Sequence, residues 1–101
     1  MLNSATTRSV PLEAVVIGAS AGAIEALRQL MPPLSQTLKL PIIVVVHLPP
    51  RRKSLLPELF QPLCAAHVAE PMDKQPIVGG GIWFAPPDYH LLIEGRHFAL
   101  S

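Results

Sequence analysis

Apolar residues occur in short runs divided by prolines and glycines, and the spacing inside each run predicts its element. Ala14 to Ile17 is apolar without alternation, as in a parallel strand covered on both faces. From Ala21 the pattern turns helical: Ala23, Ile24, Leu27, Leu30 and Met31 fall on one side, with Glu25, Arg28 and Gln29 on the other. Pro32-Pro33 are expected to stop that helix. Pro41 opens Ile42-Ile43-Val44-Val45-Val46, a β-branched run that predicts a second strand. Ser54 is a candidate N-cap for a second helix, with Leu55, Leu56, Leu59, Phe60 and Leu63 at helical spacing, Pro57 in its first turn and Pro62 ending or kinking it. After a short stretch around Val68, Glu70-Pro71-Met72-Asp73-Lys74 reads as a polar connection and Gly79-Gly80-Gly81 as loop. Ile82-Trp83-Phe84-Ala85 is a strand closed by Pro86-Pro87-Asp88. His90 to Glu94 and His97 to Leu100 predict a hairpin, with Gly95 suiting the first loop position of a type II′ turn.

A strand, a helix and a strand within about 35 residues form a βαβ unit with a right-handed crossover. The expected fold class is α/β: an open, mostly parallel sheet with flanking helices, doubly wound and Rossmann-like, ending in a hairpin. Two good helices are few for about five strands, so residues 14–101 read as the truncated first part of a domain, behind a flexible segment at residues 1–13. Parallel strands all end at one edge of their sheet, where Ser20 follows the first strand and His47 the second. Neighbouring strands would bring the two within about 4.8 Å, next-but-one strands within about 10 Å. The sequence leaves both arrangements open.

Composition narrows the classes. At 101 residues the chain holds one domain at most, and 50% hydrophobic residues with a mean hydropathy of +0.38 are high for so short a soluble protein. The longest apolar run, Ile42 to Val46, is cut by His47 and the prolines after it, so membrane insertion is not expected. Residues 1–11 are polar and hold no stretch long enough for a signal peptide, which makes the cytoplasm the expected location. Cys64, without a second cysteine, reads as a small core residue in a reducing compartment. Eight basic against seven acidic residues give a charge of +1 and no electrostatic reason to expect nucleic acid. No metal or cofactor is expected, and Arg51-Arg52-Lys53 is the basic cluster of the chain.

Gly18-Ala19-Ser20-Ala21-Gly22 is the segment with chemistry in it, a Gly-x-Ser-x-Gly between strand and helix. Flanking glycines would let the backbone turn sharply and leave room around the Ser20 hydroxyl. The helix that follows aims unpaired N–H groups and its positive dipole end at the same place. A serine nucleophile needs a base and a group to orient that base. His47 is favoured as the base by its position before Leu48-Pro49-Pro50; a loop histidine without a role is the alternative. His67, His90 and His97 lie by short strands or turns and read as structural. For the orienting acid the chain offers Asp73 and Asp88 in its later connections, while Glu25 on the first helix reads as solvated or loop-tethering. A Gly-rich turn can also cradle phosphate. Aligned on G-x-G-x-x-G, however, the chain has Gly18, Ser20 and Ala23, no Walker lysine follows, and His47 stands where a dinucleotide site expects an acid. An inactive fragment or a non-enzymatic phosphate- or nucleotide-binding module is the alternative to an enzyme.

Three blocks in order carry a resemblance: Val16-Ile-Gly-Ala-Ser-Ala-Gly22 with Glu25-Ala-Leu27, then Val45-Val-His-Leu-Pro-Pro50, then Phe84-Ala-Pro-Pro-Asp-Tyr-His-Leu-Leu92. From about Ala14 to Ser101 the chain resembles the catalytic domain of the CheB-type chemotaxis protein-glutamate methylesterases. Ala23, where the family usually has glycine, is a small departure. The resemblance implies Ser20 as nucleophile and His47 as histidine of a Ser-His-Asp triad whose aspartate lies in a later Gly-rich segment, beyond this sequence, in a domain about twice as long. It implies hydrolysis of glutamate γ-methyl esters on the cytoplasmic helices of chemoreceptors, and deamidation of receptor glutamines in related members. Backbone N–H groups near Ala21 would hold the oxyanion. Arg51-Arg52-Lys53 would attract an acidic receptor helix or else form a solvated loop. Residues 1–13 are too few for the receiver domain many relatives carry, so regulation by phosphorylation in cis is not expected. Without its aspartate, and with an unfinished sheet edge, the chain is expected to be poorly active and prone to associate.

Overall fold

The two β-branched runs predicted as strands lie side by side. A computed structural model describes residues 14–47 and 55–101; the N-terminal segment, the proposed cap Ser54 and the Arg51-Arg52-Lys53 cluster lie outside the described residues. Strand β1 is Val15–Ser20, helix α1 Ile24–Thr37, β2 Ile42–His47, α2 Leu56–Phe60, β3 His67–Ala69 and β4 Gly81–Phe84, with a terminal hairpin of β5, Leu91–Glu94, and β6, His97–Leu100. The first four strands form one parallel sheet in the order β1-β2-β4-β3. This is the expected α/β architecture with its closing hairpin.

Alternation along the strands sorts side chains between two layers. Ile42, Val44 and Val46 of β2, Val68 of β3 and Ile82 and Phe84 of β4 meet Leu27 and Met31 of α1 and Leu56 and Phe60 of α2 in the main core. Both helices therefore cover the same face. On the other face Ile43 and Trp83 are sealed by Phe98 and Leu91 of the hairpin in a smaller core. Over β1 and the end of β2 that second face is bare among the described residues, with Val16 61% and Val45 42% exposed. The hydropathy of the chain is spent partly on this open surface.

Three local expectations change. Pro32 and Pro33 do not stop α1, which runs on to Thr37. Each proline forfeits a backbone donor, but Met31 is fully buried and Leu34 and Leu38 pack on the same core, so the apolar stripe outlasts the break. The hydroxyls of Ser35 and Thr37 donate back to Pro32 O and Pro33 O at 2.9 and 3.2 Å, tightening this last turn. The second helix is short: α2 gives way at Gln61 to a 3₁₀ turn, Gln61–Leu63, around Pro62, and Leu55, Leu59 and Leu63 stay exposed. Finally, the connection after Pro71 is not featureless. Phe98 N–H donates to Gln75 O, Lys74 N–H to Phe98 O and Ile77 N–H to Arg96 O at 2.8–2.9 Å, so residues 74–77 run beside β6. The hairpin loop is as expected, with Gly95 at φ +61° and no positive φ at Arg96.

Cys64 is buried in the main core, and burial pushes its thiol up, with the Ser35 hydroxyl pulling the other way. A raised folded-state value favours the neutral thiol, so its stabilising contribution is complete below the unfolded thiol range, about 8.5, and is lost as pH rises through the folded value. Thermal melts from neutral to alkaline pH are expected to show a falling Tm in that window, and Cys64→Ala should flatten the fall.

Candidate active site

Ser20 and His47 are the last residues of β1 and β2, inside the strands and not just beyond them. The register pairs them directly, Ser20 with His47, two steps past Gly18 with Val45. Val15, Ile17 and Ala19 pack into the main core, which turns Ser20 to the opposite face; Val44 and Val46 do the same for His47. The strand ends thus place Ser20 and His47 as next neighbours, their backbones one interstrand spacing of about 4.8 Å apart, on the face of the sheet that is bare among the described residues. The nearer of the two arrangements left open by the sequence is the one found. Both residues are exposed.

The turn after Ser20 differs from a strained elbow. Ser20 is plainly extended at φ −88° and ψ 165°, and a 3₁₀ turn, Ala21–Ala23, leads into α1. Neither Gly18 nor Gly22 has a positive φ. Their contribution is space: a Cβ on Gly18 would meet nothing within 4 Å, and one on Gly22 would stand 3.8 Å from Ser20 Oγ. The Ser20 hydroxyl does not cap the turn and so is left for other partners.

The remaining candidates separate cleanly. Asp73 Oδ1 accepts from Leu100 N–H at 2.9 Å and holds the hairpin, and Glu25 faces Arg28 at 4.0 Å on the exposed side of α1. His67 lies edge-on to Trp83, ring centroids 5.7 Å apart, and His97 pairs with Glu94 in the hairpin. Asp88 and His90, by contrast, share with His47 an open groove of about 430 Å³, lined also by Val45, Val46, Ala85, Pro86, Pro87 and Tyr89. Asp88 sits at φ +67°, in the left-handed region where aspartate is among the tolerated residues. Of this groove the sequence offers Asp88, which follows a strand end and could reach the crevice of Ser20 and His47; the signal for the rest was Pro86-Pro87, which leave a strand at that edge. A smaller hollow of about 180 Å³ lies at the other end of the sheet, by Ala14 and Pro41, and holds no base or nucleophile. Among the described residues no three His, Cys, Asp or Glu side chains gather in a way that could hold a metal ion.

This arrangement can be compared with known proteins. The chain is 35% identical over 95 residues to a protein-glutamate methylesterase/protein-glutamine glutaminase of Trichodesmium erythraeum, covering 92% of this chain and 27% of that protein. It is 39% identical over 82 residues to a Leptospira interrogans protein that bears the same name as a provisional assignment, covering 81% of this chain and 42% of that one. Its fold matches the crystal structure of the Thermotoga maritima CheB methylesterase catalytic domain at a TM-score of 0.77 and 30% identity, over 91% of this chain and 51% of that domain. The chain therefore spans less than half the length of these two sequence relatives and about half of the solved domain. The family profile described as CheB methylesterase matches residues 15–101, and the chain belongs to that family.

Proposed function

We propose that residues 14–101 supply the serine and histidine of a protein-glutamate methylesterase acting on methylated chemoreceptors in the cytoplasm. The observation that carries this reading is the register: Ser20 opposite His47, on adjacent parallel strands and on the same open face. In the reaction, Ser20 Oγ attacks the γ-ester carbonyl carbon while the His47 imidazole takes the hydroxyl proton. The tetrahedral intermediate collapses as His47 returns that proton to the methoxy oxygen, and methanol leaves. Water, deprotonated by His47, then attacks the acyl-serine and releases the glutamate carboxylate and Ser20. A glutamine side chain would follow the same course with ammonia leaving, in keeping with the second activity in the relatives' names. Backbone N–H groups of the 3₁₀ turn at Ala21, which leads into α1, would hold the developing negative charge, and each such donor is worth roughly 3 kcal/mol. The acid that orients His47 is assigned, as in the family, to polypeptide equivalent to the relatives' remaining length; within this chain Asp73 is engaged in the hairpin, and Asp88, which lines the groove with His47, is the alternative.

Two measurements test this. Supplied with the polypeptide equivalent to its relatives' remaining length, the protein should release methanol from a methylated receptor fragment, and a fluorophosphonate should modify it with the adduct on the peptide containing Ser20. Absence of both, together with measurable nucleotide affinity, would return the Gly-x-Ser-x-Gly turn to the rival role of a phosphate-binding module.

A further inference from the structure

The groove beside His47 is shaped for more than a methyl ester. Its floor is apolar, from Val45, Val46 and Ala85, and its far wall is the loop Pro86-Pro87-Asp88-Tyr89-His90. That loop is fixed at both ends: Ala85 N–H donates to Val44 O at 2.9 Å, and His90 and Ser101 exchange backbone bonds at 2.9 and 3.0 Å. Two prolines restrict φ within it, and Pro87 followed by Asp88 at φ +67° has the form of a type II turn. A loop held in this way keeps Tyr89 presented to solvent, 56% exposed. Among the described residues no lysine or arginine lines the groove.

We propose that this groove seats the helix that carries the esterified glutamate, with the Tyr89 ring as the contact that positions it; the proposal rests on the esterase reading above. Along the sheet edge the order is Ser20 on β1, His47 on β2, and then the loop leaving β4. From β1 to β4 is two interstrand spacings, about 10 Å. A helix rising 1.5 Å per residue covers that distance in about seven residues, two turns, which returns to the same helix face. A helix lying across the strand ends with its ester at Ser20 therefore sets a residue about two turns away on Tyr89, Pro86 and Pro87. An amphipathic aromatic ring held rigid and exposed is suited to such an anchor. Tyr89 acts here as a positioning residue and takes no part in the chemistry.

The test measures binding without relying on turnover. A fluorescent helical peptide of about 20 residues, some 30 Å long, bearing one central glutamate γ-methyl ester, is titrated with the unsubstituted chain, Tyr89→Ala and Tyr89→Phe. Fluorophosphonate labelling of Ser20 is followed in parallel. Tyr89→Ala is expected to weaken binding about tenfold, equivalent to about 1.4 kcal/mol, and Tyr89→Phe to stay within about twofold, with Ser20 labelling equal in all three. A peptide cut one turn from the ester on the side facing the groove should lose its sensitivity to Tyr89. Equal affinity for the unsubstituted chain and Tyr89→Ala would overturn the proposal and leave the esterase reading standing. Tyr89-dependent binding, with a Ser20 that stays unreactive even when the polypeptide equivalent to the relatives' remaining length is supplied, would support the groove and sink the esterase. Self-association that disappears in Tyr89→Ala, with no peptide bound, would reassign the groove to a second copy and overturn the proposal.

Discussion

In the protein supplied with the polypeptide equivalent to its relatives' remaining length, Ser20→Ala is expected to reduce ester hydrolysis by on the order of 10⁴-fold or more, His47→Ala by a similar factor, and the double variant by no more than either alone. The non-additivity follows from the register. Ser20 and His47 face each other across one strand pair, so the nucleophile is activated only by its neighbour and the base has nothing to activate once the hydroxyl is gone. A phosphate-binding turn predicts a different pattern, in which His47→Ala leaves the measured activity unchanged. Steady-state methanol release from the three variants, read beside the unsubstituted protein, checks this. Multiplicative losses, or a rate indifferent to His47, would sink the assignment. Because both residues are exposed and end their strands, neither substitution should shift stability by more than about 0.5 kcal/mol, so lost activity cannot be laid to unfolding.

How this pair could be read from the sequence, and most of the groove beside it could not, follows from where the determining contacts lie. Val15 to Ile17 and Ile42 to Val46 declare their strands locally, and the residue after an apolar run in a parallel sheet must emerge at the C-terminal edge. That β1 and β2 are neighbours, with β4 between β2 and β3, depends on packing between distant segments that no local pattern records. The same limit applies to α1. A local rule ends the helix at Pro32, whereas the tertiary core, through Met31, Leu34 and Leu38, carries it to Thr37. Asp73 shows the limit from another side: its role is a bond to Leu100, 27 residues away. The groove needed all of this at once, since Tyr89 and His47 meet only after β4 is laid beside β2.

Phe84→Ala should be the most damaging single change to the fold. Phe84 is fully buried at the end of β4, opposite Val44 of β2, and its ring lies 5.2 Å from that of Phe60 at an interplanar angle of 40°. Removing the ring leaves a cavity between the sheet and α2, a helix of five residues with little internal hydrogen bonding to hold it in place. Large-to-small changes of this kind cost about 3–5 kcal/mol, against a total stability of about 5–15 kcal/mol for a chain of this size. A fifth or more of the folding free energy is therefore at stake, and urea titration should find the midpoint of Phe84→Ala strongly lowered. Phe84→Leu, which refills most of the volume, should cost about 1 kcal/mol. The two differ in what they do to the site. Phe84 immediately precedes Ala85, whose N–H is bonded to Val44 O at the root of the groove loop, so a cavity there loosens α2 and the Pro86–His90 wall together. Peptide binding should fall with stability in Phe84→Ala and survive in Phe84→Leu, whereas Tyr89→Ala loses binding with stability intact. A Phe84→Ala chain that kept its urea midpoint would show that the core around Phe60 does not hold the groove in place.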